Sequence, residues 1–264
     1  MEKRPPITAY TLTFNEARQM RAVLESLRWA DELIVVDSFS TDGTVEIARE
    51  FGAKVISEKF IGFGPLRNLA LKAASHDWIF SLDADERCTT GLVSEIYTEL
   101  QAPRFDAYHV PRKSHFLGYW IRHCGWYPDY RQPQLFNRRK FRYREDIVHE
   151  GFQLDGQLGY LQQPVLQYPW DTIEIALAKL QRYSTLMGQR YHADGRSASL
   201  FRMLGSPAAM FFRIFIWQKG FLDGRHGLVL AILYSYYTFL KYAKLWELQK
   251  TQANPAADPL KKGN

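Results

Sequence analysis

Cysteine is almost missing. Cys88 and Cys124 are the only two in 264 residues, and neither stands in a metal-type spacing. No disulfide framework can be built on that pair, and a reducing compartment is expected. Long hydrophobic runs are scarce as well. The longest uncharged apolar stretch is 227–240, too short for a conventional spanning helix. The opening MEKRPPITAYTLTF has no apolar leader core and runs straight into a strand pattern, so no signal peptide is expected. There is no G-x-G-x-x-G and no G-x-x-x-x-G-K, which leaves dinucleotide and P-loop readings without support.

What is present is a chain 46% hydrophobic and 15% aromatic, enough for one large domain or a domain with an extension. Its net charge of +6 is unevenly placed. Residues 1–150 hold 21 basic and 21 acidic side chains, whereas 151–264 hold 13 basic and 7 acidic, so the whole excess lies in the second part. Within the neutral part, 104–144 carries ten Lys/Arg against Asp106 and Asp129. Local fields of this kind favour an anionic partner, whether phosphorylated substrate, acidic membrane or nucleic acid.

The first hundred residues alternate apolar runs with helical patterns. Residues 7–14 (ITAYTLTF) read as a strand, and Asn15 as the cap of a helix with Met20, Val23, Leu24 and Leu27 on its apolar face. LIVV at 33–36 is a second strand ending in Asp37; SFSTDGT and a helix closed by Gly52 follow. A third short strand at 54–57 precedes a helix opened by Pro65 that carries Arg67 and Asn68. The fourth strand, WIFSL, delivers Asp83, Asp85 and Glu86 at its carboxyl end. This alternation predicts a largely parallel sheet with helices on both faces.

Ligands of such sheets sit outside the carboxyl ends of the strands. Asn15 and Glu16, Asp37, Asp83 and Asp85 all fall there, so they are expected to converge. Acids packed this closely repel unless a cation lies among them, and hard divalent ions prefer carboxylate oxygen. A polar turn closing a strand, with Asp85 or Glu86 capping the next helix, is the alternative. Asp37, just past a buried strand, can accept hydrogen bonds from a base or ribose, and Arg67 can offset phosphate charge.

Thr13-Phe14-Asn15-Glu16, the run 37–44 (DSFSTDGT), Gly64 with Arg67-Asn68, and Asp83-Ala84-Asp85-Glu86 together resemble the family 2 inverting glycosyltransferases in order and spacing. The resemblance implies a GT-A fold: an α/β, nucleotide-binding mixed sheet flanked by helices, here with a helical C-terminal extension. It implies nucleotide-sugar binding by Thr13, Asn15, Glu16, Asp37, Arg67 and Asp83, with Asp37 on the base and Arg67 on the diphosphate side. It also implies a divalent metal, Mg2+ or Mn2+, on Asp85 and Asp83.

The stretch 103–156 is aromatic and basic, with His109, Arg112, His115, Tyr119, Trp120, Trp126 and Tyr130, and is where acceptor and chemistry are expected to meet. A strand-rich insertion whose aromatics pack on the sheet is the plainer reading. An inverting transferase needs one carboxylate to take the proton of the attacking hydroxyl. This chain offers Glu145-Asp146 and His149-Glu150. The Val-His-Glu form resembles the lipopolysaccharide-core β-1,4-glucosyltransferases, which makes Glu150 the expected base and Asp146 the second candidate. His149 is expected on diphosphate or metal, or as a structural histidine.

The remainder reads as helical, from a capping-box-like 171–174 (DTIE) through 200–217 and 227–248, with scattered cations. KGFLDG at 219–224, with Gly227, resembles the same core-glucosyltransferase subgroup. The domains expected are therefore 1–168 for the transferase (donor site 7–90, acceptor part 103–156), 169–250 for a membrane-associating helical extension and 251–264 for a polar tail. The expected function is transfer of glucose from UDP-glucose to the inner core of bacterial lipopolysaccharide, by a cytoplasmic protein peripheral on an anionic inner-membrane face. The same chemistry on a capsule or other lipid-linked glycan, or with another nucleotide sugar, is the alternative. A nucleic-acid partner is not expected, because acids at the strand ends repel phosphate. A binding module without catalysis would lack a metal carboxylate or the base, and all are present.

Overall fold

The computed structural model describes residues 4–145 and 151–253. They form two compact units: residues up to Ser114 together with Pro128–Tyr168, and His115–Tyr127 together with Pro169 onward.

The first unit opens with β1 (Ile7–Thr13), α1 (Ala17–Ser26), β2 (Glu32–Asp37), α2 (Thr44–Glu50), β3 (Lys54–Ser57), α3 (Phe63–Ala73) and β4 (Trp78–Ser81). β5 (Glu86–Cys88), α4 (Thr90–Glu99) and β6 (Ala107–His109) follow, and β7 (Arg112–Phe116) leads into β8 (Tyr119–Trp120). The chain returns as β9 (Leu135–Asn137), β10 (Phe141–Tyr143), β11 (Phe152–Leu154), β12 (Leu158–Tyr160) and β13 (Val165–Trp170). Seven strands make one sheet in the order β12-β6-β9-β4-β1-β2-β3. β4, β1, β2 and β3 are parallel, and β9 runs antiparallel between β4 and β6, so the sheet is mixed.

Alternation places the strand residues on two buried faces. Ile7, Ala9, Trp78 and Phe80 pack with Val23 of α1, with Leu27 just past its end, and with Leu92 and Ile96 of α4. Tyr10, Ile34, Val36 and Ile79 pack on the other face with Leu66 and Ala70 of α3 and with Phe141 and Tyr143 of β10.

Two local expectations change. Asn15 does not cap α1; it takes a left-handed φ of 54°, and Glu16 holds the cap position without a side-chain capping bond. The carboxamide of Asn15 turns instead to the neighbouring loop, where Oδ1 accepts the Thr41 N–H at 2.8 Å. Neither Asp85 nor Glu86 caps a helix. Glu86 begins β5, and Thr89 caps α4, its hydroxyl oxygen accepting from Leu92 N–H at 3.2 Å.

In the second unit, α5 (Ile173–Ala193), α6 (Leu200–Phe212) and α7 (Gly224–Ala253) are joined by a π turn at Arg213–Trp217 and a 3-10 turn at Gly220–Asp223. Thr172 caps α5 through Ile175 N–H. Asp223, 3% exposed, explains the KGFLDG motif: its carboxylate accepts from the backbone N–H of Arg122 at 3.2 Å and His123 at 2.8 Å, and lies 3.2 Å from His123 Nδ1. A Cβ on Gly227 would fall 1.9 Å from the carbonyl oxygen of Gly220, so only glycine permits that approach. α6 is apolar yet has no buried residue; Phe201 is 84% exposed and, just beyond it, Trp217 is 85% exposed. Leu200–Trp217, rather than 227–240, is the segment long and apolar enough to cross a membrane among the described residues.

Candidate active site

Parallel pairing aligns the ends of β1 and β2, with Thr13 opposite Asp37. The two loops that follow interlock. Asn15 N–H donates to Ser40 Oγ at 2.8 Å, Glu16 N–H to Thr44 Oγ1 at 2.9 Å, and Ala17 N–H to Asp42 at 3.0 Å. Asp37 is 1% exposed and accepts from Ser40 N–H at 2.9 Å and Ser40 Oγ at 2.5 Å. The TFNE and DSFSTDGT motifs are thus one hydrogen-bonded structure at the sheet edge. Thr13 Oγ1 is buried there with no partner among the described residues.

On α3, Arg67 reaches under the sheet end. Its Nη1 donates to Ser81 Oγ at 3.0 Å and its Nη2 to Asp83 Oδ1 at 2.8 Å. The guanidinium sits 5.4 Å from the centre of the Tyr143 ring, whose hydroxyl meets that of Tyr10 at 2.9 Å. Burial pushes the Asp83 carboxyl up, but Arg67, with Arg112 farther off, holds it below the usual range. The other two residues of this motif carry the chain toward the segment with the candidate bases. Asn68 Nδ2 donates to the Tyr143 carbonyl at 2.9 Å and its Oδ1 accepts Tyr143 N–H at 3.0 Å. A Cβ on Gly64 would lie 2.0 Å from the Arg144 carbonyl oxygen, so a larger residue would displace that strand end. Asp146, His149 and Glu150 themselves lie outside the described residues.

The three acids after β4 have different surroundings. Glu86 is fully buried: Oε1 accepts from Arg112 Nε at 2.5 Å, and Oε2 from Gln134 Nε2 at 2.7 Å and Asp83 N–H at 3.1 Å. Burial raises its pKa, and nearby Asp83 and Asp85 push in the same direction against Arg112. Asp85 is half-buried in the turn, with Gln167 Nε2 3.5 Å from both carboxylate oxygens and its carbonyl accepting Tyr168 N–H at 2.8 Å. Asp83 and Asp85 are therefore both part-exposed at this turn while Glu86 is held inside. Hard oxygen donors of this kind fit a divalent cation that completes its shell with water or phosphate oxygens. Among the described residues there is no group of three or more potential ligands.

Above the Arg67–Asp83 pair lies a cavity of about 560 Å³, within the usual size of ligand sites. Ser81, Arg112, Arg131, Gln132, Gln134 and Phe152 complete much of its wall. Gln132 and Gln134 were not among the expected site residues; the polar R-Q-P-Q run at 131–134, directly before an apolar strand, was the signal that could have found them. The aromatic, basic middle divides. Arg112 pairs with Glu86, and His109 is buried among Tyr130, Phe152 and Tyr160, its pKa lowered by burial and by Arg112. His115, Tyr119, Trp120, Trp126 and Tyr127 belong to the second unit.

Residues 8–154 match the model of Glycosyl transferase family 2. The chain belongs to that family. Family 2 membership and the mixed sheet identify the fold as GT-A, with a helical C-terminal part. A lipopolysaccharide core biosynthesis glycosyltransferase, LpsC of Rhizobium meliloti, is 27% identical across 96% of this chain and 96% of its own length. An uncharacterized glycosyltransferase of Rickettsia felis is 28% identical across 94% of this chain and 90% of its own. Among solved structures, TarS 1-349 of S. aureus in complex with UDP covers 95% of this chain and 92% of its own, at 15% identity and a TM-score of 0.48. Glucosyl-3-phosphoglycerate synthase from Mycobacterium tuberculosis, in complex with Mn2+ and UDP, covers 42% of this chain and 44% of its own, at 26% identity and a TM-score of 0.35.

Proposed function

We propose that this family 2 enzyme is a metal-dependent, inverting hexosyltransferase that moves glucose from UDP-glucose to the inner core of bacterial lipopolysaccharide. The observation that carries the reading is that Thr13 and Asp37 end β1 and β2 side by side, while Arg67 of α3 pairs with Asp83 just past β4 in the wall of a cavity of about 560 Å³. The 27% identity with a lipopolysaccharide core transferase over almost all of both chains supports the acceptor class.

In this reading the loops after β1 and β2 hold the nucleoside, Asp37 facing the base. Asp85 and Asp83, with His149, would hold Mg2+ or Mn2+, which when bound neutralises charge on the departing diphosphate. Glu150, with Asp146 as second candidate, takes the proton of the acceptor hydroxyl. The hydroxyl oxygen bonds to the anomeric carbon from the face opposite the leaving group, and the bond from that carbon to the diphosphate oxygen breaks.

The second unit supports a place at a lipid surface, on the cytoplasmic face of the inner membrane. α6 and the π turn after it expose Leu200, Phe201, Phe212 and Trp217, and Arg202, Arg213, Lys219 and Arg225 are interleaved with them. The acid within 200–225, Asp223, is buried. An apolar face flanked by cations suits the boundary between headgroups and acyl chains of an anionic bilayer.

Product analysis of the purified protein with a panel of nucleotide sugars and core-truncated lipopolysaccharides tests the reading. Glucose in an inverted linkage on a core acceptor is expected. Transfer to another envelope glycan with no product on any core acceptor would overturn it.

A further inference from the structure

The cavity above Arg67 carries more than its place in the fold requires. Each guanidinium in its wall is already matched by a carboxylate: Arg67 by Asp83 at 2.8 Å, Arg112 by Glu86 at 2.5 Å, and Arg131 by Asp129 at 2.8 Å. Among the described residues, the guanidiniums of the wall are therefore close to charge balance before any ligand or metal is bound. What it leaves unmet is neutral. Gln132 Oε1, Gln134 Oε1 and Arg67 Nε are buried without a hydrogen-bond partner among the described residues. Buried acceptors without donors are costly, and they persist where something else supplies the donor.

Gln134 is 3% exposed, and its orientation is set by chemistry. Its Nε2 donates to the Ser81 carbonyl at 3.2 Å and to Glu86 Oε2 at 2.7 Å. Turning the amide over would press its oxygen against both of those acceptors, so the oxygen is the atom left unmet. Ser81 also ties this glutamine to Arg67, since its Oγ accepts from Arg67 Nη1 at 3.0 Å. A phosphate offers acceptors and charge, and would leave both amide oxygens unmet. A hydroxyl offers a donor to a glutamine oxygen and an acceptor to Arg67 Nε.

We propose that Gln132 and Gln134 are the specificity-determining residues of this enzyme, their side-chain oxygens accepting from ring hydroxyls of the uncharged sugar that is transferred. The inference rests on the reading of the chain as a nucleotide-sugar transferase and adds which residues choose the sugar. Pro133 between the two glutamines fixes one backbone torsion and so limits how they can be reoriented.

Calorimetric titration of the full-length parent, Gln132→Leu and Gln134→Met with UDP and with UDP-glucose tests it. Gln132→Leu is the decisive variant, because its Oε1 makes no bond within the fold. Gln134→Met also strips donors from Glu86 and Ser81, so its folding is checked by circular dichroism. The expected result is unchanged UDP affinity and UDP-glucose affinity about tenfold weaker. One monodeoxy analogue of UDP-glucose should bind the parent poorly yet bind Gln132→Leu as well as UDP-glucose does. Should the parent prefer UDP-galactose, UDP-N-acetylglucosamine or GDP-mannose, that sugar and its nucleotide diphosphate replace the pair. Equal loss of UDP and UDP-glucose, or no loss of either, would overturn the inference while leaving the transferase reading intact. A parent that binds none of these nucleotide sugars would overturn the transferase reading, and the inference with it.

Discussion

Arg112 Nε lies 2.5 Å from Glu86 Oε1, and neither side chain is more than 4% exposed. Glu86 also accepts from Gln134 and from the backbone of Asp83, so this pair holds the wall of the cavity and the turn after β4 together. Removing one member of a buried pair leaves an uncompensated charge, at a cost of about 3–5 kcal/mol. Arg112→Leu should lower the unfolding free energy by that amount in denaturant titration, and the double variant with Glu86→Leu should lose less than the two single losses added together. A loss below about 1 kcal/mol for Arg112→Leu would show that the pair is not structural.

In the proposed reading Asp83 and Asp85 would supply the oxygen donors for a divalent ion. Chelation with EDTA should abolish transfer, and Mg2+ or Mn2+ should restore it. Asp85→Ala should reduce turnover about a hundredfold or more, since metal stabilisation of a departing diphosphate is worth several kcal/mol. Full activity in chelator would remove the metal from the reading.

The base acts on the acceptor, so its loss should depress the chemical step and spare donor affinity. Glu150→Gln is expected to bind the nucleotide sugar like the parent and to turn over about a hundredfold slower or worse. Asp146→Asn should retain much of its activity. The reverse outcome, with Asp146→Asn inactive and Glu150→Gln active, would assign the proton transfer to Asp146.

Exposed aromatics beside cations on the second unit lead to a binding assay. The protein should sediment with anionic vesicles and be released by high salt or mild detergent, because ions screen surface attraction. Trp217→Ser together with Phe201→Ser should leave most of the protein in the supernatant. Sedimentation indifferent to lipid charge would argue against an electrostatic surface contact.

The sequence by itself determined the parts that depend on local pattern. Apolar runs such as LIVV and WIFSL are legible as buried strands because every second residue of a strand meets the same face. From their alternation with helical periods followed the α/β architecture and a sheet edge at which Thr13 and Asp37 lie side by side. The DSFSTDGT loop was legible as a loop, although its interlocking with Asn15 was not, since a capping asparagine and a loop-bridging one look alike before the chain is folded.

Only the tertiary structure decided which charges are spent. Glu86 and Asp85 are adjacent acids, yet one is sealed against Arg112, 26 residues away, while the other stays half-buried at the turn. It also decided that Arg67 meets Asp83, that His115–Tyr127 joins the second unit, and that two glutamine oxygens beside the cavity have no partner among the described residues. The physical reason is that pairing and burial are set by side chains brought together from distant positions. Sequence spacing specifies how far apart two groups are along the chain, and burial in three dimensions specifies whether their charge must be matched.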